Sequence, residues 1–126
     1  MAHILIADDE PDLARLVQLK LARAGHRTEV VGDGRRALAA LAQATLDLAV
    51  LDIGLPVLDG IEVLRCIRAD PATALLPVIL LTARGLQADV LRGFEAGATE
   101  YMIKPFVPSE LLARVERCLA ARQAST

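Results

Sequence analysis

The chain has 126 residues, a formal net charge of −2, and 54% hydrophobic but only 2% aromatic residues. That size suits one domain with one sizeable core, and a Leu- and Ala-rich chain suits helices packed on a sheet better than a β-sandwich. The charge excludes a general basic field for nucleic acid or an anionic membrane, and no apolar run approaches the roughly 18–20 residues that span a bilayer.

In chain order, the first apolar run is His3 to Ala7, a short buried strand followed at once by Asp8-Asp9-Glu10. It is too short for a signal peptide, which points to the cytoplasm. Pro11-Asp12 opens a helix with Leu13, Leu16, Val17, Leu21 and Ala24 at helical spacing and Gly25 as its stop. Thr28 to Val31 is a second strand and Gly32-Asp33-Gly34 a turn. Arg35 to Gln43 is an Ala-rich helix carried by Ala37, Leu38 and Leu41. The third strand begins at Asp47, and its run Leu48-Ala-Val-Leu-Asp52 ends abruptly in one carboxylate before a loop with Gly54 and Pro56.

Asp59-Gly60 starts a third helix, with Ile61, Leu64 and Ile67 inward and Glu62, Arg65 and Arg68 outward; Asp70-Pro71 ends it. Pro77 to Leu81 is a purely apolar fourth strand ending in Thr82. A fourth helix is expected from about Gly85, with Leu86, Val90, Leu91 and Phe94 on one side and Gly97 as its end. Thr99 to Ile103 is the fifth strand, ending in Lys104-Pro105. Pro108-Ser109-Glu110 opens the last helix, whose stripe is Leu111, Leu112, Val115 and Leu119. The polar tail 123–126 is expected to fray. Cys66 and Cys118 fall in helical stretches outside any CxxC pattern and read as reduced, buried or semi-buried thiols.

Five strand–helix alternations predict a parallel sheet with helices on both faces, joined by right-handed crossovers. The carboxyl ends of such strands share one edge, where open α/β proteins place their chemistry. Asp8, Asp9 and Glu10 stand there, with Asp52, Thr82 and Lys104. Each has a plain explanation. Asp8 and Thr82 could cap helices, Asp52 could end its strand, and Lys104 could be a solvated charge. Their convergence argues for a site. Packed carboxylates repel without a cation, and hard oxygen ligands suit Mg²⁺. A carboxylate beside Mg²⁺ is a competent nucleophile for phosphoryl transfer, with a lysine and a hydroxyl for the equatorial oxygens.

The order and spacing of Ile6-Ala7-Asp8-Asp9-Glu10, Leu51-Asp52, Leu55-Pro56, Asp59-Gly60, Leu81-Thr82-Ala83, Gly97-Ala98, and Tyr101 with Lys104-Pro105-Phe106 are specific. Over essentially the whole chain, the sequence closely resembles the response-regulator receiver domains of two-component signalling. The resemblance implies a (βα)5 doubly wound α/β fold, a five-stranded parallel sheet of the flavodoxin/CheY-like type with strand order 2-1-3-4-5, over residues 1–122. It implies Asp52 as phosphoacceptor, served by a phosphohistidine on a sensor histidine kinase or histidine phosphotransfer protein, with a downstream output protein or domain as reader. Asp9, Asp52 and the Gly54 backbone carbonyl would ligate Mg²⁺ (or Mn²⁺), and Asp8 would act through a water. Thr82 and Lys104 would bind phosphoryl oxygens, and the Lys104-Pro105 bond would be cis. Thr82 and Tyr101 would form the switch that repacks the surface of the fourth helix, fifth strand and fifth helix.

Gly54 leaves no side chain over the phosphoryl group, and Arg84 is long and basic; in the family these two positions influence dephosphorylation. The last third resembles receivers of the OmpR/PhoB type of transcription factor, which form homodimers through that switch surface by salt bridges. Glu95, Glu100, Glu110 and Arg114 fit that pattern, whereas Val90 and Thr99 depart from it. Three other readings stand beside this one. An aspartyl phosphatase would carry DxDx[TV] after the first strand, which Asp8-Asp9-Glu10-Pro11 lacks. A nucleotide-binding domain of similar fold would want a glycine-rich loop where the acids stand. A pseudo-receiver, acting as a phosphorylation-independent interaction module, typically loses an acid or the lysine, and this chain keeps them. The expected protein is a switch rather than a turnover enzyme, with no direct nucleic-acid or membrane binding. It is either a stand-alone receiver or part of a longer regulator or hybrid kinase.

Overall fold

The computed structural model describes residues 1–83 and 87–124. The elements alternate strictly. They are β1 (His3–Ala7), α1 (Pro11–Arg23), β2 (Arg27–Val31), α2 (Gly34–Gln43), β3 (Leu48–Asp52), α3 (Gly60–Ala69), β4 (Val78–Ala83), α4 (Gln87–Glu95), β5 (Glu100–Lys104) and α5 (Pro108–Ala124). The strands pair in parallel in the order β2-β1-β3-β4-β5, as the family resemblance implied.

The sheet is two-sided because its central strands carry continuous apolar runs, Ile4 to Ala7, Leu48 to Leu51 and Val78 to Leu81. Alternation then divides their side chains between two layers. Leu5, Ala7, Ala49, Leu51, Val78 and Leu80 pack with α2 and α3. Ile4, Ile6, Leu48, Val50, Ile79 and Leu81 pack with α1 and α5. Local signals set the helix ends. Asp33 caps α2 by accepting from the Arg36 N–H at 2.8 Å, and Asp59 and Glu62 form a reciprocal capping box on α3.

Several expectations need correcting. α1 buries Ala14, Val17 and Leu21, whereas Leu16 is 54% exposed and Ala24 lies at the surface. The helix meets the sheet along a stripe narrower than its apolar set. Leu91 and Phe94 of α4 are also largely exposed, and Gly93 is the buried residue of its last turns. Arg68 does not point outward. Its guanidinium donates to the carbonyls of Gly97 (2.9 Å), Ala74 (3.2 Å) and Leu76 (2.6 Å), tying α3 to the loops at the amino edges of β4 and β5. Cys118 is buried as expected, but Cys66 is exposed. α5 runs through Ala124, past the expected start of the tail. Arg84, Gly85 and Leu86, and with them the expected start of the fourth helix, lie outside the described residues, as do residues 125–126.

Candidate functional site

Neighbouring strands β1 and β3 deliver the first two carboxylates. Asp52 is the last residue of β3 and is buried. The chain then turns sharply back, the Gly60 N–H donating to the Ile53 carbonyl at 3.0 Å. A methyl group on Gly60 would collide with the Asp52 carbonyl, so this return requires glycine. Asp52 Oδ1 accepts from the Gly54 N–H at 3.0 Å. Asp8 follows β1 and is buried, its Oδ1 accepting from the Glu10 N–H at 2.9 Å.

Lys104 ends β5, before a cis bond to Pro105. Its Nζ donates to Asp52 Oδ2 at 2.9 Å and to Glu10 Oε1 at 2.8 Å, and lies 2.9 Å from Asp8 Oδ2 as an ion pair. Burial alone would lower its pKa. The hydrogen bonds to the Glu10, Asp52 and Asp8 carboxylates outweigh that and raise it. Asp8 shifts upward because burial penalises its charge and Asp52 repels it, against the lowering effect of the Glu10 N–H and Lys104.

The structure therefore brings together Asp8, Asp52 and Lys104, as expected, and adds Glu10. Carboxylate oxygens of Asp8, Glu10 and Asp52 lie within 4.8 Å of one another. Asp9 is exposed and stands outside that group. The path of the backbone decides this. Glu10 has extended backbone angles (φ −96°, ψ 101°), and extended chain sends alternate residues to opposite sides. Gly54 is exposed beside Asp52. Thr82 is fully buried and follows Leu81, the register partner of Asp52. Among the described residues, its hydroxyl makes one long contact, 3.5 Å to the Ala83 carbonyl. Tyr101 is half-buried and meets Phe94 edge-on, with ring centroids 5.2 Å apart and planes at 86°. Beside it lies an open groove of about 410 Å³ between α4, β5 and α5. There Glu100 is engaged by its own chain, at 2.8 Å from Arg114 and 2.5 Å from Arg117.

A doubly wound α/β domain with an acidic crevice and a half-buried lysine at the carboxyl edge of its sheet defines a narrow class of proteins. Residues 4–116 match the family of response regulator receiver domains, and the chain belongs to that family. It is 45% identical over 113 residues to the DNA-binding response regulator MtrA of Mycolicibacterium smegmatis, covering 90% of this chain and 48% of that protein. To the transcriptional regulatory protein ResD of Bacillus subtilis it is 43% identical over 116 residues, covering 92% and 47%. The chain thus spans about half the length of these curated relatives. Among solved structures, the chemotaxis response regulator CheY4 of Vibrio cholerae superposes with a TM-score of 0.88 at 32% identity, over 94% of this chain and 98% of that one. The receiver domain of the sensor histidine kinase PA1611 of Pseudomonas aeruginosa, with a magnesium ion coordinated in its active-site cleft, superposes with a TM-score of 0.86 at 34% identity over the same shares. Receiver domains are signalling switches of two-component systems rather than turnover enzymes. No helix among the described residues is long and apolar enough to cross a membrane.

Proposed function

We propose that this chain is switched by phosphorylation of Asp52. The observation that carries the reading is the convergence of Asp52, Asp8 and Glu10 on the Lys104 ammonium at one sheet edge, with buried Thr82 near the end of β4, the strand between those of Asp52 and Lys104. An Asp52 carboxylate oxygen attacks the phosphorus of a phosphohistidine on a sensor histidine kinase or phosphotransfer protein. A P–O bond forms, the P–N bond breaks, and the leaving imidazole takes up a proton. Lys104 and Thr82 bind the phosphoryl oxygens, whose charge grows in transit. Hydrolysis of the acyl phosphate by water returns the domain to rest.

The crevice fits a divalent cation. Its donors are hard oxygens, and carboxylate oxygens of Asp8, Glu10 and Asp52 gather within 4.8 Å of one another. Asp9, Asp52 and the Gly54 carbonyl would hold Mg²⁺ (or Mn²⁺), with Asp8 acting through a water. The bound ion would supply charge neutralisation for the phosphoryl group. Release of the resting Lys104 contact to Asp52, and capture of Thr82 by the phosphoryl group, would let Tyr101 repack against α4 and so alter the α4–β5–α5 surface. That surface is read by an output domain or partner, or pairs with a second copy. Because in-chain arginines already engage Glu100, a homodimer there would have to share or replace those pairs. The domain, over residues 1–122, acts in the cytoplasm.

Intact mass after incubation with acetyl phosphate tests the reading. One added phosphoryl group is expected, requiring Mg²⁺ and abolished in Asp52→Asn. A folded chain that takes no phosphoryl group from this donor or from phosphohistidine proteins would be a pseudo-receiver instead.

A further inference from the structure

Val57 has φ +74° and is, among the described residues, the one non-glycine residue with positive φ. The Leu58 N–H donates to the Pro56 carbonyl at 2.9 Å, so Pro56–Val57–Leu58 is a γ-turn of the strained, positive-φ hand. A β-branched residue is a poor occupant of that backbone region, which glycine would hold freely. Among the described residues, no core contact of the valine side chain offsets the strain. The Val57 side chain is 67% exposed and joins neither core layer.

The turn does not depend on the valine side chain for its position. The Pro56 carbonyl also accepts from the Gly34 N–H at 3.2 Å, and a methyl group on Gly34 would collide with Leu58. The first residue of α2 is thus seated on the turn, and backbone contacts hold it. Val57 is an apolar side chain on a fixed mount, beside exposed Pro56. It lies five residues after Asp52, in the loop at the sheet edge where the carboxylates and Lys104 meet. A protein that brings a phosphorus atom to Asp52 must cover that edge.

We propose that Val57 is a specificity-determining contact for the protein phosphodonor, seating an apolar patch beside the donor histidine. The proposal rests on the receiver reading of Asp52. Acetyl phosphate is too small to touch both Asp52 and a protein-docking rim, so it should be indifferent to Val57.

The test compares the unmodified chain, Val57→Asn and Val57→Ile with two donors, acetyl phosphate and a panel of phosphorylated histidine phosphotransfer proteins. Asn tolerates the left-handed region and removes the apolar surface; Ile keeps the surface. All three chains should label equally with acetyl phosphate; by circular dichroism Val57→Ile should unfold near the unmodified chain, and Val57→Asn, relieved of a β-branched residue at positive φ, should unfold no lower. With a protein donor, kcat/KM should fall about tenfold for Val57→Asn and hold for Val57→Ile, the order expected for losing one valine-sized apolar contact. Equal transfer to Val57→Asn and the unmodified chain overturns the proposal. So does an equal loss with both donors, which makes turn shape the operative feature, or an equal loss in Val57→Ile, which keeps the apolar surface and the β-branch. Labelling of Asp52 by acetyl phosphate with refusal of every protein donor overturns the proposal alone. An unmodified chain that accepts from neither donor overturns the receiver reading itself.

Discussion

Replacing Lys104 by methionine removes the ammonium that three carboxylates share while keeping the length of the side chain. At 2.8–2.9 Å, each contact is worth about 6 kcal/mol gross at an effective dielectric of 20, and desolvation takes back most of that. Removing one partner of a buried pair typically costs about 3–5 kcal/mol. Glu10 is largely exposed and can turn to water, and Asp8 can take up a proton, so we expect a loss of about 2–4 kcal/mol at pH 7 without metal. The sign with pH follows from the shifts. Lys104 is raised above its ordinary 10.5, so its stabilisation is fully present below that pH and fades as pH rises through the folded value. Asp8 is raised above its ordinary 3.8, so its ionisation in the folded state costs stability as pH climbs beyond 3.8. Loss of Lys104 deepens that cost. The gap between the two proteins should therefore be small near pH 4 and widen toward pH 7, and saturating Mg²⁺ should narrow it again. Urea unfolding followed by far-UV circular dichroism, in EDTA and in Mg²⁺, measures this directly; the chain has no Trp for fluorescence. A difference below about 0.5 kcal/mol at pH 7, or one independent of pH and Mg²⁺, would refute the idea that Lys104 serves as the internal cation of the crevice.

Arg68→Ala strips the Gly97, Ala74 and Leu76 carbonyls of one shared donor and should destabilise the fold by about 2–3 kcal/mol in urea unfolding; a neutral result would mean that water replaces the guanidinium. Gly60→Ala drives a methyl group into the Asp52 carbonyl, so it should cost about 1–3 kcal/mol and slow acetyl phosphate labelling of Asp52, whereas unchanged labelling would show that the loop can shift without moving the carboxylate. The Cys118 thiol is pushed up to about 11 by burial and by Glu100, while Cys66 is exposed. Iodoacetamide at pH 8 should therefore modify Cys66 and spare Cys118 in peptide mass spectra of the folded chain, and equal modification would contradict the packing of α5.

Much of this protein is legible in its sequence because its signals are local. Apolar runs bounded by Gly, Pro and Asp mark β1, β3 and β4, and helical spacing marks the segments between them. Strict alternation then forces a parallel sheet, which places Asp8, Asp52, Thr82 and Lys104 on one edge before any coordinate is known. Tertiary structure decided what depends on direction. Three consecutive acids follow β1, and only the path of the extended chain sends Asp8 and Glu10 toward Lys104 and leaves Asp9 in solvent. Leucines at helical spacing mark an apolar set, but the width of the contact with the sheet decided that Leu16 and Leu91 stay outside. Arg68 reads as a surface charge until the loops at the amino edges of β4 and β5 bring three carbonyls to it. The positive φ of Val57 runs against its own residue preference. It is imposed by the return of the chain from Asp52 to Gly60 and by the seating of α2, which are contacts between segments distant in sequence.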